Sequence, residues 1–314
     1  MTKTTMRAIR QEALGGPEVL QEVEIDKPEP GLSQILVRVH AAGLNPTDWG
    51  HRAHPIFLGP MPLVLGWDVS GTVEATGFGV TLFKPGDEVF GMLPYPFGHG
   101  SHAEYVAGTA RAFVRKPDTI DHVQAGALPL AALIAWQALN DTAGLRAGQR
   151  VLIHAAAGGV GHLAVQIAKA KGAYVIGTAS AGRHAMLRDL GADELIDYTT
   201  TDFTEAATDI DVVLDPISLD YSARSLRVLR PGGLLVSLLP FAPEIPAQAA
   251  AAGVRAELIL VEHDHAGMSA VADLVASDRL RPVIAATFPL ADAAKAHVVG
   301  EAGHVAGKLV LTMD

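Results

Sequence analysis

Residues 149–171 read QRVLIHAAAGGVGHLAVQIAKAK. Val151-Leu152-Ile153 is an apolar run of the length of a buried strand. The chain then turns through Ala155-Ala156-Ala157-Gly158-Gly159-Val160-Gly161. Beyond it, Leu163, Ile167 and Ala168 recur at helical spacing, with Gln166, Lys169 and Lys171 left for solvent. Strand, glycine turn and helix in that order are the context of a dinucleotide fingerprint. The pattern is Ala156-x-Gly158-x-x-Gly161, with alanine in place of the first glycine. Gly158 lets the backbone, with Gly159 and Val160, approach a pyrophosphate. Gly161 lets the helix pack closely on the strand, and the helix N-terminus offers N–H donors to the phosphates.

The same rhythm continues outward. Tyr174–Thr178, Glu194–Ile196, Asp211–Leu214, Leu234–Leu238 and Ala256–Val261 read as further strands, separated by helical stretches at 185–190 and 221–229. Pro231-Gly232-Gly233 reads as a stop. Strand–helix alternation predicts a doubly wound parallel sheet. The flanks have another texture. Thr5–Ala13, Val19–Ile25, Ile35–Ala41, Val64–Ala75 and Glu88–Met92 are strand candidates, joined by turns such as Lys27–Gly31 and Pro85-Gly86-Asp87. Asn45-Pro46-Thr47-Asp48 reads as a helix start with Asn45 as its cap. Strand texture returns at Val283–Phe288 and Gly307–Thr312. The expected organisation is therefore a β-rich domain over 1–121, a nucleotide domain over 122–275, and a return to the first domain over 276–314, with the active cleft between the two domains.

Composition narrows the function classes. Of 314 residues, 49% are hydrophobic, enough for a large core, and none is cysteine, which excludes disulfides, thiolate zinc sites and cysteine catalysis. The net charge of −10 and the scattered 24 Lys and Arg argue against nucleic-acid binding. No apolar run approaches the ~20 residues of a membrane span. The opening MTKTTMRAIRQEA lacks a secretory signal, so a cytoplasmic enzyme acting on a small molecule is expected.

After the second strand the chain reads Thr178-Ala179-Ser180-Ala181-Gly182-Arg183-His184, without the carboxylate that NAD-specific folds direct at the ribose 2′-hydroxyl. Ser180 can donate to a phosphate and Arg183 can neutralise it. NADPH is the expected cofactor.

Several segments together resemble one family. They are Gly43-Leu44-Asn45-Pro46-Thr47-Asp48, Gly66-Trp67-Asp68-Val69-Ser70-Gly71-Thr72-Val73, Phe83–Val89, Gly100-Ser101-His102-Ala103-Glu104-Tyr105, Ala127–Ala131, the turn Ala155–Gly161 and the tail Gly303–Leu311. The chain resembles the medium-chain dehydrogenase/reductase superfamily, of the zinc-free quinone oxidoreductase (zeta-crystallin-like) type. The resemblance implies an α/β chain with a GroES-like β-barrel catalytic domain and a Rossmann nucleotide domain, and hydride transfer from a nicotinamide to a quinone or α,β-unsaturated carbonyl. An enoyl-thioester reductase is the alternative within the superfamily. A nucleotide-binding structural or sensory protein without turnover is the alternative outside enzymes.

The resemblance also assigns residues. Zinc-dependent members carry Cys at Asn45 and His at Trp67, so no metal is expected. Asn45 stands beside the nicotinamide, and Thr47 where alcohol dehydrogenases carry a proton-relay hydroxyl. Ser180 and Tyr198 match positions that hold the 2′-phosphate, and the usual lysine falls on His184, next to Arg183. His54 or Tyr95 could replace a missing tyrosine acid, and Phe57, Tyr95, Phe97 and Trp136 could wall a pocket. Relatives pair the edge strand, here 256–261, across a two-fold axis, which implies a homodimer with Leu258 and Leu260 near its interface.

Overall fold

The computed structural model describes residues 4–313. The chain divides into two compact units. One runs through Leu133 and resumes at Glu262, and the other spans Ile134–Val261.

The second unit is built on six parallel strands. In chain order they are Arg150–Ile153 (β1), Tyr174–Thr178 (β2), Glu194–Ile196 (β3), Ile210–Asp215 (β4), Leu229–Ser237 (β5) and Arg255–Leu258 (β6). Their spatial order is β3-β2-β1-β4-β5-β6, a doubly wound Rossmann sheet with β1 at its centre. The apolar run Val151-Leu152-Ile153 is fully buried, as a strand covered on both faces must be. Leu152, Ile176, Val213 and Leu235 from four neighbouring strands share one core with Phe203 and Ile245. Helix Gly161–Ala170 covers the sheet, burying Leu163, Ala164, Ile167 and Ala168.

Three expectations need correction. The helix expected over 221–229 spans Asp220–Ser225, and Leu229 already belongs to β5. Pro231-Gly232-Gly233 does not precede the fifth strand but lies inside it, because Gly232 takes a φ of +79° and the β4–β5 register shifts between Ile210 and Val212. The sixth strand ends at Leu258 rather than Val261.

In the first unit, both ends of the chain enter the same sheets. The long strand Gln34–Leu44 pairs with Asp68–Thr76, Tyr105–Thr109 and the C-terminal strand Lys308–Thr312. A smaller sheet joins Gln21–Asp26, Thr5–Gln11 and Leu63–Val64. Val37, Val39, Val69, Val73, Val89 and Phe90 fill the interior. The helix His265–Ala276 packs on Phe113–Arg115 of this unit, so the compact division falls at 261/262 and not at the change of texture near 276. Among the described residues no helix is long and apolar enough to cross a membrane.

Candidate active site

In the Rossmann unit, β1 ends at Ile153, and His154 anchors the chain as it leaves the strand. Its Nε2 lies 2.9 Å from Ser225 Oγ and its Nδ1 3.3 Å from Thr178 Oγ1, so one ring joins three segments below the glycine turn. Ala155 takes a φ of +46°. Ala156 is fully buried, donates its N–H to the Thr178 carbonyl at 3.0 Å, and sits beneath the turn. Gly158, Gly159 and Val160 form its partly open rim. A Cβ on Gly161 would fall 2.7 Å from Ala156 Cα and closer still to the Ala155 carbonyl, so no side chain fits where helix meets strand. Among the described residues no side chain caps the helix that begins there. An uncapped helix N-terminus under an open glycine rim fits a pyrophosphate. Gly161→Ala is expected to cost about 1–3 kcal/mol through overpacking and to weaken dinucleotide binding. Urea unfolding and cofactor titration would check both, and a variant equal to the parent in each would refute this role for the turn.

The residues expected to meet the ribose lie beyond β2 and β3. Ser180 is half-buried, and Arg183 and Tyr198 are exposed. His184 behaves differently. Its Nε2 donates to the Ala179 carbonyl at 3.0 Å. That bond ties the ring to the loop through Nε2. Asp197, which sequence reasoning passed over, is a carboxylate in this region. Hydrogen bonds from the Thr199 hydroxyl and backbone hold its carboxyl below the ordinary range, and the Ala181 backbone adds to this. Its Oδ1 accepts from both the Thr199 N–H and the Thr199 hydroxyl.

In the other unit, Asn45 is buried and holds the N-cap position of its helix. Its Nδ2 donates to Asp68 Oδ2 at 2.9 Å, and its Oδ1 accepts from Lys308 Nζ. Lys308 also donates to the Leu44 carbonyl at 2.9 Å and lies 3.4 Å from Asp68. Asp68 accepts in addition from the Leu130 N–H at 2.6 Å. Burial pushes the Asp68 carboxyl up, and Lys308 pulls it back. The C-terminal strand brings Lys308 here, since Leu309 pairs with Leu44. The helix Pro46–Ala53 is held by Asp48, whose carboxyl Oδ2 accepts the Asn45 N–H at 2.6 Å.

On that helix, Thr47 and His51 stand one turn apart. His51 Nδ1 lies 2.8 Å from the Thr47 carbonyl and 3.0 Å from its Oγ1, which is 3.1 Å from the Tyr95 hydroxyl. Trp67 lies 5.2 Å from the Tyr95 ring, and Phe57 closes another side at 6.5 Å. Of the other expected walls, Phe97 is 76% exposed, and Trp136 belongs to the Rossmann unit, where Lys171 Nζ sits 5.7 Å from its ring. His54 is exposed. Zinc does not fit this donor set. Asn45 is bonded to an ammonium group, and the buried Trp67 indole donates to the Pro96 carbonyl at 3.2 Å. Purified protein is expected to lack stoichiometric zinc and to keep its activity in chelator. About one zinc per chain by elemental analysis, lost together with turnover, would contradict this.

These sites and the paired sheets define a medium-chain dehydrogenase/reductase. The family of alcohol dehydrogenase GroES-like domains matches residues 31–118, and that of zinc-binding dehydrogenases matches residues 190–311. A 2-haloacrylate reductase of Burkholderia sp is 35% identical, over 95% of this chain and 96% of that protein. The quinone oxidoreductase of Coxiella burnetii has a TM-score of 0.93 at 38% identity, covering 99% of this chain and 100% of that one. Escherichia coli quinone oxidoreductase, solved with NADPH, has a TM-score of 0.88 at 29% identity, covering 98% and 100%. The chain belongs to the zinc-free quinone oxidoreductases of that superfamily and is an oxidoreductase.

Proposed function

We propose that this protein is an NADPH-dependent, zinc-independent reductase of quinones or α,β-unsaturated carbonyls. The observation that carries the reading is Asn45, held by Asp68 and Lys308 where a metal ligand would stand in zinc-dependent relatives. A bound nicotinamide supplies the hydride. The chain's own residues bind and stabilise. Asn45 gives one amide hydrogen to Asp68, and the second is the donor for a carbonyl oxygen. Such a donor stabilises charge that develops on oxygen without a Lewis acid. Thr47 holds a hydroxyl for proton transfer. The 2-haloacrylate reductase and quinone oxidoreductase names of relatives support this substrate range. NADPH oxidation against quinones, enones, enals and enoyl thioesters is the test. Turnover with none of them would overturn the reading.

Ser180, Arg183 and Tyr198 are the residues we assign to the 2′-phosphate. Arg183→Ala is expected to weaken NADPH binding about tenfold, the scale of one charge-assisted hydrogen bond, with little effect on NADH. Equal affinity of the unmodified protein for both cofactors would refute the assignment.

We also assign a homodimer formed through β6. Leu258, the last residue of β6, and Leu260 just beyond it are 49% and 57% exposed beside an open sheet edge, whose unpaired backbone invites pairing. Leu260→Asp tests it without disturbing the strand, whereas Ile259 already donates its N–H to Ser237 at 3.1 Å within the chain. A monomer mass by light scattering for the parent protein at micromolar concentration would be decisive against it.

A further inference from the structure

We infer that the substrate carries a hydrocarbon tail, alkyl or prenyl, and that Ile56, Phe57 and Phe97 form the track that receives it. The inference rests on the proposed reduction of quinones or unsaturated carbonyls and names the class within them. It begins with two loops. No residue from Pro55 to Trp67 carries a charge, and none from Val89 to Gly98. Burial accounts for part of each run: Leu63, Leu65 and Trp67 in the first, Phe90, Met92 and Leu93 in the second. It does not account for the rest. Ile56 and Phe57 are 49% and 46% exposed, and Phe97 is 76% exposed. Single apolar side chains in water are ordinary, whereas several gathered beside a site mark a binding surface.

Both loops are anchored. In the first, Leu58 packs against the core formed by Leu44, Leu65 and Leu309, and its neighbours Ile56 and Phe57 stay outside. In the second, Gly98 donates its N–H to the Pro94 carbonyl at 2.6 Å, and the Trp67 indole holds the Pro96 carbonyl at 3.2 Å. Phe97 therefore stands at the tip of a closed turn. The loops meet at Tyr95, whose ring lies 6.5 Å from Phe57 and 5.2 Å from Trp67. The Tyr95 hydroxyl, 3.1 Å from Thr47 Oγ1, ties that junction to the helix that begins after Asn45. A polar end at Asn45 thus adjoins an apolar surface that opens to solvent.

Charge decides what fits that surface. A coenzyme A thioester brings phosphates, which call for cations. The two loops supply none, and Arg52 on the neighbouring helix is buried in its bonds to Glu301 at 2.7 and 3.0 Å. A hydrocarbon chain needs only apolar surface, and covering that surface releases water from both partners. The molecule that matches has a carbonyl head for the Asn45 amide and a chain that lies over Phe57, Ile56 and Phe97. The chain takes no part in the bonds made or broken. Its binding is therefore equal in ground state and transition state, and it acts on KM while leaving kcat unchanged.

The experiment uses NADPH, the full-length protein and a series of alkylated naphthoquinones from methyl to hexyl. KM is expected to fall about twofold for each added methylene, below the roughly fourfold of complete burial because the track is open on one side. The double variant Ile56→Ser/Phe97→Ser should flatten the series, with the methyl and hexyl KM values within about threefold. Its Tm should match the parent's. Equilibrium dialysis of the hexyl compound without NADPH should show binding about tenfold weaker in the double variant. A parent KM indifferent to tail length would overturn the inference and leave the proposed function standing. So would a double variant that keeps the full dependence. Cosedimentation of the parent with phosphatidylglycerol vesicles, lost in the double variant alongside a flat parent series, would give the loops to a membrane surface instead. Turnover of no quinone or enone would remove the proposed function, and dialysis would then decide the tail track alone, with equal binding by parent and variant overturning it.

Discussion

Lys308→Met is expected to destabilise the protein by about 3–5 kcal/mol, the usual cost of stranding one partner of a buried ion pair. Lys308 is 3% exposed and Asp68 fully buried. All three ammonium contacts are internal, to Leu44, Asn45 and Asp68. Methionine fills a similar volume but returns none of them. Asp68 would keep its bonds from Asn45 and Leu130 and lose the cation beside it, so its carboxyl would climb further above the ordinary range. The double variant Lys308→Met/Asp68→Leu should recover much of the loss, because replacing both members of a buried pair is often close to neutral. Guanidinium unfolding followed by tryptophan fluorescence in a Trp136→Phe background, which leaves Trp49 and Trp67, would report on this unit. A loss below about 1 kcal/mol in the single variant would show that the pair contributes no more than a surface one.

That network also marks the limit of what sequence reveals. The turn at Ala155–Gly161 was legible because its spacing is local: strand, glycine and helix each leave a periodic trace, and Gly161 has the close approach that the spacing implies. Thr47 and His51 stand four residues apart on a helix whose start was readable, so their contact was within reach of the helical period. Lys308 was not. At the start of the apolar strand KLVLT it looks like a solvated flank, and only the register of Leu309 on Leu44 shows that it faces Asn45. Tyr95 reaches Thr47 across 48 positions for the same reason. Asn45 holds the N-cap position that the local rule gives an asparagine before proline, but its amide also goes to a buried carboxylate and ammonium, and Asp48 secures the helix end. Tertiary partners add to local propensity where a polar group is fully buried.

Thermal stability should peak near pH 6.5 and fall on the alkaline side. Asp48 is fully buried, and that burial pushes its carboxyl up to about 8, with the nearby Asp68 adding to the rise and the Asn45 N–H opposing it. Unfolded, the group titrates near its ordinary 3.8. Between those values the folded protein holds the extra proton, so this group's contribution is complete below 3.8 and is lost as pH rises through about 8. One proton is worth about 1.4 kcal/mol per pH unit. Three histidines act in the opposite sense. Burial lowers His102 to about 3 and His154 and His297 to about 4, against 6.5 when unfolded. Their contribution is complete above 6.5 and is lost as pH falls toward 4. From about pH 4 to 6.5, three groups outweigh one and stability rises with pH. Above 6.5 the histidines are silent and Asp48 tilts the balance. The loss from pH 6.5 to 8 should be about 2 kcal/mol. His102 Nε2 lies 3.9 Å from Asp48 Oδ1, beyond a hydrogen bond, so among the described residues no partner satisfies that oxygen once it is ionised. Asp48→Asn cannot ionise and should flatten the alkaline limb while leaving the acid limb in place. Calorimetric Tm values from about pH 5 to 9 for both proteins decide the matter. A parent Tm that stays level from about pH 6.5 to 8.5, or an asparagine variant that keeps the alkaline fall, would show that Asp48 enters the folded core already ionised.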